Sequence, residues 1–196
     1  MSSLALLSCG ALGKEVKAIV DGRGWNVDIY GIPAMHHLYP KKIVEAVDAK
    51  LAQIGPQYRQ VVLVYGDCGT AGALDAVLER HGAVRLRGPH CYEMFAGDDF
   101  DQLVAERPGT FFLTDWLVRN FERAVVRGLG IDRYPELKPV YFQHYTDLLY
   151  LAQFREDRLE QKAREIADYL ELRLEVRQVG MGQLETRLAA LLQDMP

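Results

Sequence analysis

The sequence lacks the features that mark several large classes of protein. It has no run of Lys and Arg and a formal net charge of -4, which argues against a general binder of nucleic acids or membrane surfaces. It has no repeat, no low-complexity tract and no Ser/Pro-rich linker, so residues 1–196 are expected to form a single α/β domain. The apolar opening around Leu4–Ser8 has no basic leader and is too short to span a bilayer. These absences predict a cytoplasmic protein with neither a nucleic-acid nor a membrane partner.

Cysteine is scarce, and each of the three cysteines stands where a predicted strand gives way to a turn that contains Gly or Pro. The turns are Ser8-Cys9-Gly10, Asp67-Cys68-Gly69 and Pro89-His90-Cys91. A reducing compartment disfavours a structural disulfide, and an odd number of cysteines leaves one thiol unpaired, so converging thiolates predict a metal site. The alternative is that the cysteines are small buried hydrophobic residues. Their places outside the apolar strand interiors favour a shared site.

Short apolar runs alternate with amphipathic segments through the first half of the chain. The predicted strands are Leu4–Ser8, Val27–Tyr30, Gln60–Tyr65, Val84–Leu86 and Thr110–Leu113. The predicted helices cover Lys14–Asp21, Lys41–Ile54 and Ala71–Arg80, and a further one begins at Thr114-Asp115 and runs to Arg127. Beyond Pro135 we expect two or three helices, an edge strand at Leu172–Arg177 and a last helix at Gln183–Leu192. The alternation predicts a Rossmann-like open parallel sheet flanked by helices, with a more helical C-terminal part.

The carboxyl ends of parallel strands meet at one edge of a sheet, and open α/β sheets bind their ligands there. The predicted sheet therefore gathers Cys9, Cys68 and Cys91 as ligands of one metal. The segment Gly-Asp-Cys-Gly-Thr-Ala-Gly fits neither the dinucleotide fingerprint nor the phosphate loop, so its glycines and the following helix favour a thiolate. The candidate cofactor-binding residues are Gly10, Gly69 and Tyr92.

Asp67, His90 and His144 are the candidate catalytic residues. Asp67 ends a fully apolar strand and is the preferred general acid/base. His90 adjoins the third cysteine, where it could complete a metal coordination sphere, move protons or hydrogen-bond a backbone carbonyl. His144 lies in an aromatic-rich stretch for which packing is the default explanation, and it is a second candidate ligand. The pair His36–His37 could reach the same sheet edge from the turn before Pro40, with one of the two as a solvated loop residue.

Six groups of residues carry a resemblance to a known family. They are Leu7-Ser8-Cys9-Gly10-Ala11-Leu12, Ile32-Pro33-Ala34 with His37 following, Tyr65-Gly66-Asp67-Cys68-Gly69-Thr70, Gly88-Pro89-His90-Cys91-Tyr92, Gly109-Thr110-Phe111-Phe112-Leu113-Thr114-Asp115 and His144-Tyr145. As a set they resemble DUF1638, a bacterial and archaeal domain of unknown function. The resemblance implies Cys-Gly, Asp-Cys-Gly and His-Cys turns at the positions chosen above. Members similar to this chain stand near genes for corrinoid-dependent methyltransferases, which implies one-carbon or methylamine metabolism.

Three hypotheses stay open. The first is an enzyme with a small-molecule substrate and a metal at the three cysteines. Zinc, completed by His90, His144 or water, suits a thiol or methyl transferase, and a [4Fe-4S] cluster with one free iron suits a lyase. Neighbouring histidines favour zinc slightly.

The second hypothesis is a non-catalytic accessory protein that carries a metal or a corrinoid for a methyltransferase. The chain lacks the Asp-x-His-x-x-Gly pattern of a base-off corrinoid carrier, so this role would have to use the cysteines. The third hypothesis is an enzyme in which Cys68 alone is a covalent nucleophile, with His90 as its base and no metal.

Overall fold

The computed structural model describes residues 3–193, and these divide into two compact units. The first unit extends to Met94 and takes up the chain again at Gln183, and the second unit is Phe95–Gly182. Each unit has its own parallel sheet with helices around it, so the α/β class with parallel sheets is confirmed. The expectation of a single domain over residues 1–196 stays a prediction. The two units are described one after the other.

The sheet of the first unit has four parallel strands. They are β1 (Leu4–Cys9), β2 (Asp28–Ile32), β3 (Gln60–Val64) and β4 (Val84–Arg85), in the order β2-β1-β3-β4. Strands β1 and β3 lie in the middle, and every residue after the first in each of them is buried. Their continuous apolar runs are typical of parallel strands that are covered on both faces.

Four helices follow these strands. They are α1 (Gly13–Arg23), α2 (Pro40–Ile54), α3 (Ala73–His81) and α4, which begins at the third cysteine (Cys91–Ala96). Pro40 opens α2, where the absent N–H of proline costs no helical hydrogen bond. The buried residues of α2 include Ile43, Val47 and Leu51, spaced four apart on one face, so this helix packs with a single apolar stripe.

The second unit has a three-stranded parallel sheet. Its strands are β5 (Thr110–Thr114), β6 (Asp147–Ala152) and β7 (Arg173–Gln178), in the order β5-β6-β7. Its helices are α5 (Phe100–Glu106), α6 (Asp115–Phe121), α7 (Leu137–Phe142) and α8 (Asp157–Leu170). The last helix of the chain, α9 (Gly182–Gln193), belongs with the first unit from Gln183 onwards.

Two helices, α7 and α8, lie between Pro135 and the edge strand as expected, but strand β6 between them was not predicted. All six of its residues are buried, as suits the central strand of the sheet. A short apolar run rich in leucine cannot be distinguished from a buried helix by periodicity. The helix expected to reach Arg127 is also shorter, because α6 ends at Phe121 and a π-helix follows over Glu122–Val126. Strand β7 is at the edge, as predicted.

A buried carboxylate ties together the carboxyl ends of β5 and β6. Asp115 is fully buried, and its Oδ1 accepts hydrogen bonds from the Tyr150 hydroxyl at 2.7 Å and from the Gln153 N–H at 3.0 Å. Its Oδ2 accepts from the Phe154 N–H at 3.1 Å and from Arg119 at 3.4 Å. Asp115 is therefore a structural residue that orders the loop after β6.

None of the helices within residues 3–193 combines the length and the apolar character that a crossing of the bilayer requires.

Candidate functional site

The three cysteine turns lie at the carboxyl ends of three adjacent strands. Cys9 is the last residue of β1, Cys68 follows β3, and Cys91 follows β4 as the first residue of α4. The neighbouring strands run parallel, so the turns share one edge of the sheet. The strand order reverses between β1 and β3, since β2 pairs on one side of β1 and β3 on the other. Such a switch point is where open α/β sheets form their ligand-binding crevice.

Two glycines let the backbones of these turns approach closely. A Cβ atom on Gly66 would lie 2.6 Å from the Cα of His90, and one on Gly10 would lie 2.9 Å from the carbonyl oxygen of Ile32. The Gly10 N–H also donates to that oxygen at 2.8 Å. Gly69 has a φ of +82°, a conformation that suits glycine. The structure thus gives Gly10 and Gly69 backbone roles, and cofactor binding by them stays a prediction.

The Cys9 sulfur is buried among hydrogen-bond donors. The Ala11 N–H donates to it at 3.3 Å, and the Tyr65 hydroxyl and the Leu12 N–H, which donates to the Cys9 carbonyl oxygen at 2.9 Å, also lower its pKa. Burial nevertheless raises the pKa of the Cys9 thiol to about 11, with a further contribution from the charge of Glu15. Glu15 is only 2% exposed, in the first turn of α1. Cys9 is therefore protonated at neutral pH in the metal-free protein.

Cys68 and Cys91 are half-buried and interact electrostatically with Cys9 and with each other. Burial raises the pKa of Cys68 to about 12, and the next contribution is a negative charge on Cys9. Burial also raises the pKa of Cys91, followed by the charges of Cys9 and Cys68. Backbone N–H groups partly offset this effect, since that of Gly66 lowers the pKa of Cys68 and those of Cys91 and Tyr92 lower the pKa of Cys91. The three thiols thus share one electrostatic environment.

The thiols do not form a ready coordination sphere. Among the described residues, no group of three or more His, Cys, Asp or Glu side chains is placed so that it could hold a metal ion. The raised pKa values keep metal-free thiols neutral, and neutral thiols do not gather around a common centre as thiolates do around a cation. The donor chemistry suits a metal, and binding would require the side chains to turn towards one point.

The loop that carries Cys68 has an unusual backbone. Cys68 has a φ of +49° and Ala71 one of +52°, a left-handed conformation that costs a residue with a side chain on the order of 1–2 kcal/mol. The Asp67 carboxylate holds this loop, since it accepts hydrogen bonds from the Thr70 hydroxyl at 2.9 Å, the Gly72 N–H at 2.8 Å and the Ala71 N–H at 3.1 Å. These bonds, led by that of Gly72, hold the pKa of Asp67 below its usual value. The structure gives Asp67 an ordering role, and general acid/base catalysis by it stays a prediction.

The His90 ring is turned towards the start of α4. Its Nδ1 accepts a hydrogen bond from the Glu93 N–H at 3.4 Å, and the ring packs edge-on against Tyr92 with centroids 5.5 Å apart. Burial lowers the pKa of His90, so the imidazole is neutral at pH 7. His90 acts here as a helix cap, and Tyr92 packs against it. The structure does not test their predicted catalytic and cofactor-binding roles.

His144 belongs to the second unit, where it follows α7. Its carbonyl oxygen lies where a Cβ on Gly109 would meet it at 2.8 Å. Its predicted role as a ligand stays a prediction.

His37 is the histidine whose ring packs against the site. The ring stacks on Tyr65 with centroids 5.4 Å apart and an interplanar angle of 12°. Its Nδ1 lies 2.7 Å from the carbonyl oxygen of Ala34 and 3.5 Å from the Tyr65 hydroxyl. The contact with Ala34 assigns the proton to Nδ1, and burial lowers the pKa, so Nε2 carries a lone pair at neutral pH. A neutral imidazole of this tautomer is the form that binds metals.

The sequence did not single out Glu15 and Arg85. Arg85 ends β4 and lowers the pKa of Cys68 by its charge. Its place at the carboxyl end of a predicted strand is a signal that could have found it. Glu15 offered no such signal, because an acidic residue in the first turn of a helix is ordinarily explained by the helix dipole.

Fold and site together define the class: an α/β protein with two parallel sheets, the first of which carries three cysteine turns at its carboxyl edge. The chain belongs to the family described as a protein of unknown function (DUF1638), whose model matches residues 32–188. The resemblance carried by the sequence motifs is thereby confirmed. The matched segment includes Cys68 and Cys91, whereas Cys9 precedes it. Comparisons with curated proteins and with solved structures gave no match.

Proposed function

We propose that Cys9, Cys68 and Cys91 bind one metal ion, in an enzyme that transfers a thiol or methyl group of a small-molecule substrate. The observation that carries the proposal is the placement of the three cysteine turns at one edge of the sheet, after the adjacent strands β1, β3 and β4. Thiols that coordinate a metal lose their protons, and the charge of the cation would offset the mutual repulsion of the resulting thiolates. The reversal of strand order between β1 and β3 supports a ligand site at the same place.

The donor set favours a thiophilic metal, with zinc first. The Ala11 N–H donates to the Cys9 sulfur, and backbone N–H groups lower the pKa of Cys68 and of Cys91, an arrangement that stabilises thiolate ligands. His37 and His90, in the same unit, are neutral imidazoles as zinc requires. A bound zinc ion with one open position supplies a Lewis acid that lowers the pKa of a thiol or water.

Other side chains of the edge have supporting roles in this proposal. The Tyr65 hydroxyl hydrogen-bonds to Cys9, and burial raises the pKa of Tyr65 so that it remains a donor. Asp67 fixes the loop that presents Cys68, and Arg85 favours the Cys68 thiolate electrostatically. The proposal also includes transfer chemistry and a corrinoid methyltransferase partner, which the family association suggests. It includes a cytoplasmic location, which the cysteine usage suggests.

The geometry disfavours Cys68 as a lone nucleophile. A thiol with a pKa of about 12 has only on the order of 1 part in 100,000 as thiolate at pH 7. His90 directs its Nδ1 to the start of α4, as a cap of that helix. A metal-free mechanism would need a base that the Cys68 thiol contacts.

Metal analysis of protein purified without air tests the proposal. We expect about one zinc per wild-type chain, loss of that zinc in each of Cys9→Ser, Cys68→Ser and Cys91→Ser, and full retention in the control His81→Gln. His81 is a suitable control because it bonds to Asp48 outside the cysteine turns. Circular dichroism shows whether each variant is folded. Unchanged zinc in any one serine variant removes that cysteine from the site, and metal-free wild-type protein contradicts the whole proposal.

The same preparation distinguishes the alternatives. Brown protein with a broad band near ~400 nm identifies the iron–sulfur version and a lyase-type reaction. Colourless zinc protein that moves methyl groups to small thiols supports the transferase. Retention of a corrinoid or delivery of metal to a methyltransferase, with no turnover of small thiols, identifies the accessory role instead.

A further inference from the structure

Two clefts of the first unit share the edge strand β4. The first has a volume of about 570 Å³, and we call it the arginine cleft because Arg85, Arg87 and Arg187 line it. The second has a volume of about 680 Å³ and shares Arg85 and Arg87 with the first. Arg85, the last residue of β4, and Arg87, two residues further on, therefore line both clefts.

The arginine cleft is positively charged in a chain of negative net charge. Its lining has three guanidinium groups and a single carboxylate, that of Glu93, whereas the whole chain has a formal net charge of -4. Guanidinium groups match the planar or tetrahedral oxygens of carboxylates and phosphates through paired N–H donors. A concentration of them in one concave space is the chemistry of an oxyanion site.

Two of the arginines are held in place by carboxylates. Arg85 forms a two-pronged contact with Asp75, with Nε 2.6 Å from Oδ1 and Nη2 3.0 Å from Oδ2. Arg187, on α9, contacts both carboxylate oxygens of Glu93 and donates to the carbonyl oxygen of Arg87 at 3.1 Å. These two guanidinium groups are fixed before any ligand arrives, which lowers the entropic cost of binding.

Arg87 differs from the other two. Its side chain is exposed, and in the described part of the chain its guanidinium forms neither a hydrogen bond nor an ion pair. All of its donors are therefore available to a ligand, whereas Arg85 and Arg187 are already paired with Asp75 and Glu93. Gly88 beside it has a φ of +142°, and a Cβ there would lie 2.7 Å from Glu93 Oε2 and 3.1 Å from Arg187 Nη1.

We propose that the arginine cleft binds the phosphate or carboxylate group of a small organic molecule, with Arg87 as the contacting residue. The volume of the cleft is several times that of a single oxyanion, so the anion is expected to be one end of a larger molecule. Binding of the anion does not depend on the cysteines. An extension, which rests on the proposed function, is that the same molecule is the substrate of the metal site. Arg85 supports this extension, because it lines the cleft and its charge also lowers the pKa of Cys68.

Calorimetric titration with inorganic pyrophosphate and, separately, with citrate tests the inference on the full chain. We expect wild-type protein to bind at least one of these anions and Arg87→Gln to bind it about tenfold more weakly or worse, as is typical for a lost charge-assisted hydrogen bond. Arg59→Gln is the matched control, since Arg59 is also exposed but precedes β3 at the opposite edge of the sheet. We expect this control to bind as the wild type does.

The outcomes separate the sources of the anion and the two proposals. Tighter binding of pyrophosphate supports a phosphate-bearing ligand, and tighter binding of citrate supports a carboxylate. Binding of neither anion to wild-type protein, or equal affinity of Arg87→Gln and wild type, overturns the inference. Arg87 is exposed, so the variant should unfold at the wild-type temperature, and Arg87→Glu provides a second variant in which binding should be lost. The three Cys→Ser variants should bind the anion normally even if the metal proposal fails.

Discussion

Gly66 and His90 are in direct backbone contact, since a Cβ atom on Gly66 would lie 2.6 Å from the His90 Cα and 2.8 Å from its nitrogen. The backbone of the turn after β3 is therefore packed against that of the turn after β4. Two hydrogen bonds reinforce the contact, from the Asp67 N–H to Gly88 at 3.1 Å and from the Cys68 N–H to Pro89 at 2.8 Å. The spacing between the Cys68 turn and the Cys91 turn therefore depends on Gly66 having no side chain.

We expect Gly66→Ala to lower the free energy of unfolding by about 1–3 kcal/mol, because the methyl group must push one turn away from the other. Gly22→Ala is the matched control. Gly22 lies in α1 with open space around it, so the same change should raise the free energy of unfolding by about 0.5–1 kcal/mol. Urea denaturation measures both. A Gly66→Ala variant as stable as wild type would contradict the close approach of the two turns.

The raised thiol pKa values predict a loss of stability in alkali for the metal-free protein. Above pH 9 the thiols ionise in the unfolded chain, whereas Cys9 keeps its proton in the folded state up to about pH 11. The unfolded state then binds fewer protons, so the free energy of unfolding falls by about 1.4 kcal/mol per pH unit for each such thiol. Denaturation of chelator-treated protein between pH 8 and 10 measures the slope, and Cys9→Ser should have a shallower one. Identical slopes for wild type and Cys9→Ser would show that burial does not raise the pKa of Cys9.

Asp67→Ala is expected to lower the free energy of unfolding by about 1–2 kcal/mol at pH 7, because it removes the acceptor of three loop hydrogen bonds. The pKa of Asp67 is lowered in the folded state, so its contribution is present above the unfolded pKa near 4 and lost as the pH falls further. The difference between wild type and variant should therefore shrink in acid. Exposed Glu45 on α2 offers the control Glu45→Ala, which should change little.

In the second unit, Asp115→Ala is expected to lower the free energy of unfolding by about 3 kcal/mol or more, because it leaves the Tyr150 hydroxyl and two backbone N–H groups of the loop without their acceptor. Tyr150→Phe removes a single bond of that set and should cost about 1 kcal/mol. Asp101→Ala, at an exposed position of α5, should stay within about 0.5 kcal/mol of wild type. Urea denaturation with a probe of the second unit, such as Trp116 fluorescence, measures all three. Equal effects of Asp115→Ala and Asp101→Ala would contradict the buried network.

The sequence predicts the strands of the first sheet well because the residues that end each strand follow it closely in the chain. Apolar runs that end at Gly or Pro turns mark β1, β3 and β4, and right-handed parallel crossovers make their neighbourhood the expected outcome. The cysteine turns follow from the same reasoning, since Cys9 ends β1 and Cys68 and Cys91 lie in the turns that follow β3 and β4. Amphipathic spacing likewise predicts α2 to within one residue.

Strand β6 shows where the same reasoning fails. Its sequence Asp-Leu-Leu-Tyr-Leu-Ala lacks β-branched residues and has the leucine content of a helix. Only the tertiary environment, with both faces covered, makes this segment a strand. The surroundings of the cysteine sulfurs could not be predicted either. Tyr65 and Glu15 influence Cys9, and Arg85 influences Cys68, through side-chain directions across elements that lie far apart in the chain.

Helix α9 joins the first unit although the whole second unit precedes it in the chain. It brings the buried residues Leu184 and Leu188 and two ion pairs, Arg23 with Glu185 and Arg187 with Glu93. During synthesis the ribosome therefore releases every residue of the second unit before the first one has all its parts. The arginine cleft and its lining can be completed only after α9, which follows the second unit, has been translated, and a nascent chain halted at Gly182 would have the cysteine turns but not the helix that supplies Arg187.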